Sequence, residues 1–308
     1  MSPHRKPRFR RWSLRILLIV ILLPVIALAI VRSAGWLRMR KTDREIQAFL
    51  GPYQVNAVND TLKLRGRDIV YLKTGKGEQK KSALILVHGS PGSLDAFLDY
   101  MVDTALLSRA DIITYDRPGF GNSAFGIAEP SLSAQADILI GLMKAMGYDS
   151  YWLAGHSYGA PVIVHAAIRE PRKVKGICLI AGSVSPELEP ESTVWRKWID
   201  LPLVRDLLPV SMRVSNEELM SIRQDLIMIE DDWDRLRMPV SVIHGTKDVL
   251  VPFENMQYVL DRATTADTIF TKVFEGESHF ILWTHEQQIV EELVKLIDSG
   301  SEQFPVSS

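Results

Sequence analysis

Residues 151–160 read Tyr151-Trp152-Leu153-Ala154-Gly155-His156-Ser157-Tyr158-Gly159-Ala160, an apolar strand signal running straight into Gly-x-Ser-x-Gly. The Ala- and Val-rich residues 161–168 that follow predict a helix with Pro161 in its first turn, so Ser157 falls at the bend. A side chain held at the tip of so sharp a turn needs a strained backbone. Its neighbours two places away must lack side chains so that strand and helix can pass closely. Gly155 and Gly159 meet that need. The helix beginning there also points unpaired N–H groups back toward Ser157, where a negative charge on oxygen would be stabilised. Three fixed positions of common residue types recur by chance in roughly one chain in ten of this size, so the weight rests on the flanking elements.

Toward the N-terminus, residues 61–64 and 68–72 predict two strands around the turn Arg65-Gly66-Arg67. Residues 84–87 are wholly apolar, as in a strand buried on both faces, and lead into His88-Gly89-Ser90-Pro91-Gly92. A helix is expected over 94–107, a strand over 111–115, a loop over 116–123, and a helix from Ser131 to Met146 with Gly147 as its stop. Beyond the bend comes a strand over 176–180, and then the alternation breaks. Between 182 and 238 no strand signal occurs, while 191–208 and 216–236 carry helical patterns rich in Trp, Leu and Ile, which read as a helical lid. Trp195, Trp198, Leu201, Leu207, Leu208 and Trp233 are its candidates for shaping a pocket. Strands at 240–243 and 268–274 and helices at 254–262 and 285–297 complete the pattern. Such alternation predicts an α/β fold, a mostly parallel sheet with helices on both faces.

The N-terminus carries a different signal. Residues 1–15 hold Arg5, Lys6, Arg8, Arg10, Arg11 and Arg15 without an acid, and residues 16–31 then carry no charge. That is an export or membrane signature. Trp12 and Trp36 flank the run, as amphipathic rings do at an interface, which favours an uncleaved transmembrane anchor over 16–36. The alternative is a signal peptide cleaved near Ala27-Leu28-Ala29, giving a secreted protein. The basic residues that follow the span, from Arg32 to Arg44, nearly balance those before it. The slight excess before it favours a cytoplasmic N-terminus with the rest of the chain outside. The expected organisation is a basic segment 1–15, an anchor 16–36, a linker with a short helix 37–59, a core 60–182 and 239–298, a lid 183–238 and a loose tail 299–308.

At 308 residues and 46% hydrophobic residues the chain can bury one substantial core plus an insertion. A net charge of -1 gives no electrostatic case for nucleic acid. The one cysteine, Cys178, lies in an apolar run, reads as a buried inert thiol and can form no internal disulfide. The sequence contains no internal repeat, metal-ligand cluster or dinucleotide fingerprint, so neither metal nor cofactor is expected.

A serine hydroxyl becomes a useful nucleophile when an imidazole takes its proton and a carboxylate steadies that imidazole. In open parallel sheets such groups gather beyond the carboxyl ends of the strands. His279 follows the 268–274 strand on a loop, whereas its competitor His285 begins a helix. Asp248 follows the 240–243 strand directly; Asp261 and Asp267 border a helix instead. Ser157, Asp248 and His279 are therefore the candidate catalytic residues.

With those residues in that order, and with His88-Gly89-Ser90-Pro91-Gly92 and Gly155-His156-Ser157-Tyr158-Gly159, the chain resembles the α/β-hydrolase fold family over about residues 60–298. The resemblance implies an oxyanion hole built from the backbone N–H groups of Tyr158 and Ser90. It makes His88, Gly89, Pro91 and Gly92 shapers of the loop, with the Ser90 side chain incidental, and His156 a packed neighbour. The loop 116–123 is expected as structural support. Relatives that cleave epoxides or carbon–halogen bonds use Asp at the bend, where this chain has Ser157, and that difference implies an acyl-enzyme. The alternative acid position after the 176–180 strand holds Gly182 and Ser183. The expected protein is a membrane-anchored serine hydrolase, carboxylesterase-like, acting on a small acyl substrate, with its oligomeric state left open. One alternative is an aminopeptidase whose lid grips the substrate amine with one of Glu187, Glu189, Glu191, Glu217 or Glu218, although a solvated acidic face accounts for them too. The other is a non-catalytic binding relative.

Overall fold

Apolar runs become sheet strands here because helices cover both faces. The computed structural model describes residues 39–53, 55–75, 81–191, 194–199 and 201–302, together with Leu22 and Ile26. Segment 1–15, the anchor 16–36 apart from those two residues, and residues 303–308 lie outside the described residues. Among those described, no helix is long and apolar enough to cross a membrane.

Helix α1 (Asp43–Leu50) is closed by a capping box between Thr42 and Glu45. Strands β1 (Asn56–Leu64) and β2 (Arg67–Gly75) form the expected hairpin. Its two-residue turn, Arg65-Gly66, has φ of 49° and 76°, the left-handed pair that matches strand twist. Strand β1 pairs with β2 from Asn56 onward, four residues before position 60. After β3 (Ser82–Val87) the expected helix over 94–107 is broken. A 3₁₀ turn (Leu94–Phe97) leads to α2 (Leu98–Met101) and α3 (Thr104–Leu107). The break falls where the Asp103 side chain takes the Leu106 N–H at 2.9 Å and starts a new helix.

The chain continues through β4 (Asp111–Tyr115), α4 (Leu132–Met146), β5 (Ser150–His156), α5 (Gly159–Arg169) and β6 (Val174–Ile180). Helix α4 is capped by Ser131 and stopped by Gly147 at φ 73°. A helical stretch then separates β6 from β7. It holds a 3₁₀ turn (Val194–Trp198), α6 (Pro202–Leu207), α7 (Val210–Met228) and a second 3₁₀ turn (Glu230–Arg235). Pro202 divides the expected helix over 191–208, because it lacks the N–H that a helix interior needs, and α7 begins after Pro209, six residues before the expected start at 216. Strand β7 (Val240–Gly245), α8 (Glu254–Arg262), β8 (Ile269–Phe274), α9 (Ile281–Thr284) and α10 (Glu286–Glu302) follow. Helix α10 runs into the expected loose tail, with the Ser299 hydroxyl donating back to the Leu296 carbonyl at 2.9 Å.

The eight strands form one sheet in the order β1-β2-β4-β3-β5-β6-β7-β8. The pairs from β4 through β8 are parallel, and β2 runs against both of its neighbours. Side chains alternate across it: Ile85, Val87 and Leu153 pack with α4 and α5, whereas Leu84, Leu86 and Trp152 pack with α10 on the other face. Trp233, a candidate for the pocket, is instead 2% exposed within the first of these cores, its ring edge-on to Tyr258.

The tightest point is the junction of β5 and α5. A Cβ placed on Gly155 would lie 2.4 Å from the Gly159 carbonyl oxygen, and one on Gly159 would lie 2.2 Å from the carbonyl oxygen of Val87 in β3. Both obstacles are backbone and cannot swing aside. Gly159→Ala should lower unfolding stability by about 1–3 kcal/mol or more, read from urea midpoints. An unchanged midpoint would mean the helix can move off β3 freely.

Candidate active site

Ser157 occupies the bend with φ 54°, a left-handed conformation that costs a non-glycine residue about 1–3 kcal/mol. Its N–H donates to Ile180 O at 2.9 Å, and its carbonyl accepts from Ala160 N–H at 3.1 Å and Ser183 N–H at 3.4 Å. The side chain is only 9% exposed. The loop after β3 presses on it, since a Cβ on Gly89 would meet Ser157 Cβ at 2.9 Å. Among the described residues, neither the Ser90 nor the Tyr158 backbone N–H donates to an acceptor. Tyr158 is the N-cap residue of α5 and is buried.

Asp248 and His279, from the loops after β7 and β8, meet in a buried pair with Nδ1–H of His279 donating to Asp248 Oδ2 at 2.7 Å. Asp248 Oδ1 accepts the Leu250 and Val251 N–H groups at 2.9 and 2.8 Å. His244, a residue the motif reading did not single out, adds its Nε2 3.3 Å from Oδ2. Burial works against the Asp248 charge, but the donors from His244, His279 and Val251 prevail and hold the carboxyl well below the usual range. With Nδ1 engaged, the remaining His279 nitrogen keeps a lone pair. Ser157 Oγ and His279 form no direct hydrogen bond among the described residues. What joins them is His156, whose Nε2 lies 3.3 Å from the His279 carbonyl oxygen and whose ring sits 4.9 Å from the His279 ring. Burial and the neighbouring His279 lower the His156 value to about 3, so it is a neutral packed ring. His285 lies apart, its ring against Phe274 at 4.3 Å.

The model of the α/β-hydrolase fold family matches residues 82–206. The chain is 33% identical over 271 residues to the 2-hydroxy-6-oxononadienedioate/2-hydroxy-6-oxononatrienedioate hydrolase of Burkholderia vietnamiensis (strain G4), covering 76% of this chain and 91% of that protein. The chain belongs to the α/β-hydrolase fold family. The chain spans about half the length of other relatives that it matches. Among them is the proline iminopeptidase of Clostridioides difficile (strain 630), 30% identical over 131 residues, 41% of this chain and 44% of that protein. Among solved structures it shares its fold with a membrane phospholipase A, a bacterial virulence factor, at a TM-score of 0.61 and 18% identity, covering 93% of this chain and 98% of that one.

Beneath the loop after β3 lies a buried ion pair that sequence reading passed over. Arg117 and Glu218 are both 0% exposed and meet at 2.5 Å, with Gln135 bridging them. The Arg117 N–H donates to His88 Nε2 at 2.9 Å, so Nδ1 carries the His88 proton and donates to Gly89 O at 2.8 Å. Burial and Arg117 keep His88 neutral. Glu218 is therefore no part of a solvated acidic face. The Ser90 hydroxyl, expected to be incidental, donates to Glu218 Oε2 at 2.6 Å. His244 could have been suspected from its place at the end of β7, four residues before Asp248. Nothing local marks Glu218, which lies 101 residues from Arg117.

The loop 116–123 holds a further buried carboxyl, Asp116. Asp116 accepts the Leu94 N–H at 2.8 Å and the Asn122 N–H at 2.7 Å, tying its own loop to the one after β3. Burial pushes its carboxyl up to about 7 in spite of those donors. The folded carboxyl thus binds its proton more tightly than the unfolded one, whose ordinary value is 3.8. The stability it contributes is full below about pH 4 and is lost as the pH rises through about 7. Asn cannot ionise. The stability lead of the wild type over Asp116→Asn, measured from urea midpoints, should narrow between about pH 5 and about pH 8. A constant lead would show that Asp116 does not change charge there.

Proposed function

We propose that this protein is a membrane-anchored serine hydrolase that cleaves a carboxylic ester, or a related acyl bond, through an acyl-enzyme intermediate. The observation that carries the reading is the buried His279–Asp248 pair at 2.7 Å, set at the same end of the sheet as the strained Ser157. Ser157 Oγ attacks the carbonyl carbon while His279 Nε2 takes its proton, the contact between them tightening as substrate binds. Asp248 holds the tautomer and stabilises the imidazolium. The Ser90 and Tyr158 N–H groups receive the oxyanion. His279 then protonates the leaving alcohol, and water releases the acyl group by the same steps.

An apolar mouth supports an acyl substrate. Val249 and Leu250 beside Asp248, and Phe280 and Trp283 beside His279, are all exposed. In this reading the stretch 183–238 is the lid. Of the carboxylates the aminopeptidase alternative could use, Glu218 is committed to Arg117, while Glu187 and Glu189 accept from Ser185 and Ser183 and Glu191 and Glu217 are exposed.

The anchor is supported by where the described chain begins. The Ser93 hydroxyl donates to Met39 O at 3.0 Å, and Arg40 donates to Gly121 O and lies over the Phe125 ring at 4.3 Å. Met39 thus docks beside the loops at the carboxyl end of the sheet. Only seven residues, at most about 25 Å of chain, separate it from the apolar run 16–31. On this reading the mouth stands close to the bilayer, with the hydrolase domain outside the cytoplasm.

A fluorophosphonate probe should label the full-length protein, and Ser157→Ala should abolish that labelling. Persistent labelling would move the nucleophile elsewhere. Among nitrophenyl esters of graded chain length, turnover should exceed that of matched aminoacyl anilides. After an alkaline carbonate wash the protein should stay with the membrane pellet; release into the supernatant would defeat the anchor.

A further inference from the structure

The helical stretch between β6 and β7 reaches under the site. Glu218 projects from α7 into the space below the β3 loop, where its two oxygens are fully shared. Oε1 accepts from Arg117 Nη1 at 2.5 Å and Gln135 Nε2 at 2.7 Å. Oε2 accepts from Arg117 Nη2 at 3.1 Å and the Ser90 hydroxyl at 2.6 Å. The guanidinium so held passes the constraint on. Its Nε donates to His88 O at 2.9 Å and its Nη2 to Gly89 O at 3.0 Å, while its flat face lies 4.7 Å from the Tyr158 ring centre. Both residues whose amides would receive the oxyanion, Ser90 and Tyr158, therefore rest on one ion pair.

Peptide planarity turns this into an aiming device. Gly89 C=O and Ser90 N–H belong to the same peptide unit, and in a trans unit they point in opposite directions. Fixing the carbonyl on Arg117 and on His88 Nδ1–H fixes the direction of the amide on the other side. Gly89 has no side chain to supply that constraint, and its neighbour Ser90 is tied by its hydroxyl to Glu218.

We propose that Glu218, contributed by the inserted helix α7, is a positioning residue for the oxyanion hole, acting through Arg117 and the Ser90 hydroxyl to hold the Ser90 amide on target. It rests on the serine-hydrolase reading above. The insertion is then part of the catalytic apparatus, and the core reaches full competence only with α7 docked. Glu218 is not a substrate-amine ligand, since all its acceptor positions face the core.

Two variants of the full-length protein test this. Glu218→Gln keeps the shape and removes the charge. Should it fail to fold because Arg117 is left buried without its counter-ion, Ser90→Ala decides, because it removes one hydroxyl and leaves the Arg117–Glu218 pair in place. Active sites are counted with a fluorophosphonate. For each titrated site, kcat on a short ester and the affinity of an alkyl boronic acid, which forms a tetrahedral oxyanion-like adduct, are then measured. The expected result is a fall in kcat of about ten- to a hundredfold, a parallel loss of boronate affinity and a KM within about twofold of wild type. A merely structural role would reduce the titrated fraction and leave kcat per site and boronate affinity unchanged, and that result overturns the proposal. Wild-type protein that takes up no fluorophosphonate would instead overturn the underlying reading, and the proposal with it.

Discussion

Helix α5 crosses β3 so closely that no side chain fits between them. That single steric constraint organises the active end of the molecule. With Gly159 against the Val87 carbonyl and Gly155 against Gly159, the chain can turn from strand to helix only by placing Ser157 in the left-handed region. The strain is borne by the sheet around it, since Ser157 N–H is held by Ile180 in β6. The same closeness brings the loop after β3 against the serine side chain, so the stretch His88 to Gly92 has nowhere else to lie.

Around that point four histidines share a chemistry and differ in burial and partners. His88 is locked in one tautomer by a backbone donor on Nε2 and a backbone acceptor for Nδ1. His156 is kept neutral by burial and holds the backbone of the His279 loop. His244 supports Asp248. His244 and His279 each set one nitrogen on the buried Asp248 carboxylate and leave the other unpartnered among the described residues, but His244 is fully buried whereas His279 is 6% exposed. In the proposed reaction that exposure makes His279 the base, because only a ring that substrate and Ser157 can approach is able to take up the proton.

Buried charge follows the same economy. Arg117 and Glu218 are tolerated at zero exposure because every oxygen and most guanidinium hydrogens have partners, among them two carbonyls of the β3 loop. Asp116, with two backbone donors and no buried cation, binds its proton more tightly than a free carboxyl. One site thus stabilises the loop with an ion pair and the other with a single carboxyl held by backbone N–H groups. The helical insertion supplies half of that ion pair, which ties α7 to the part of the chain with least room to move.

Much of this was legible in the sequence, for identifiable reasons. Residues 84–87 and 176–180 could only be buried strands, Ser131 and Gly147 punctuate α4, and Gly-x-Ser-x-Gly between a strand and a helix leaves one geometry for Ser157. Asp248 and His279 stood out as candidates because each follows a strand's carboxyl end, a position that chain order reveals. Those signals are local: periodicity, caps and spacing act over a few residues. The Arg117–Glu218–Ser90 contact joins positions 101 and 128 residues apart, and whether Glu218 faces water or the core depends on how α7 lies on the sheet. The sequence by itself determined the alternation of elements and the residues that can do chemistry. Only the tertiary structure decided which polar side chains are buried and what they hold, because burial is a property of the packed whole and no short stretch of chain encodes it.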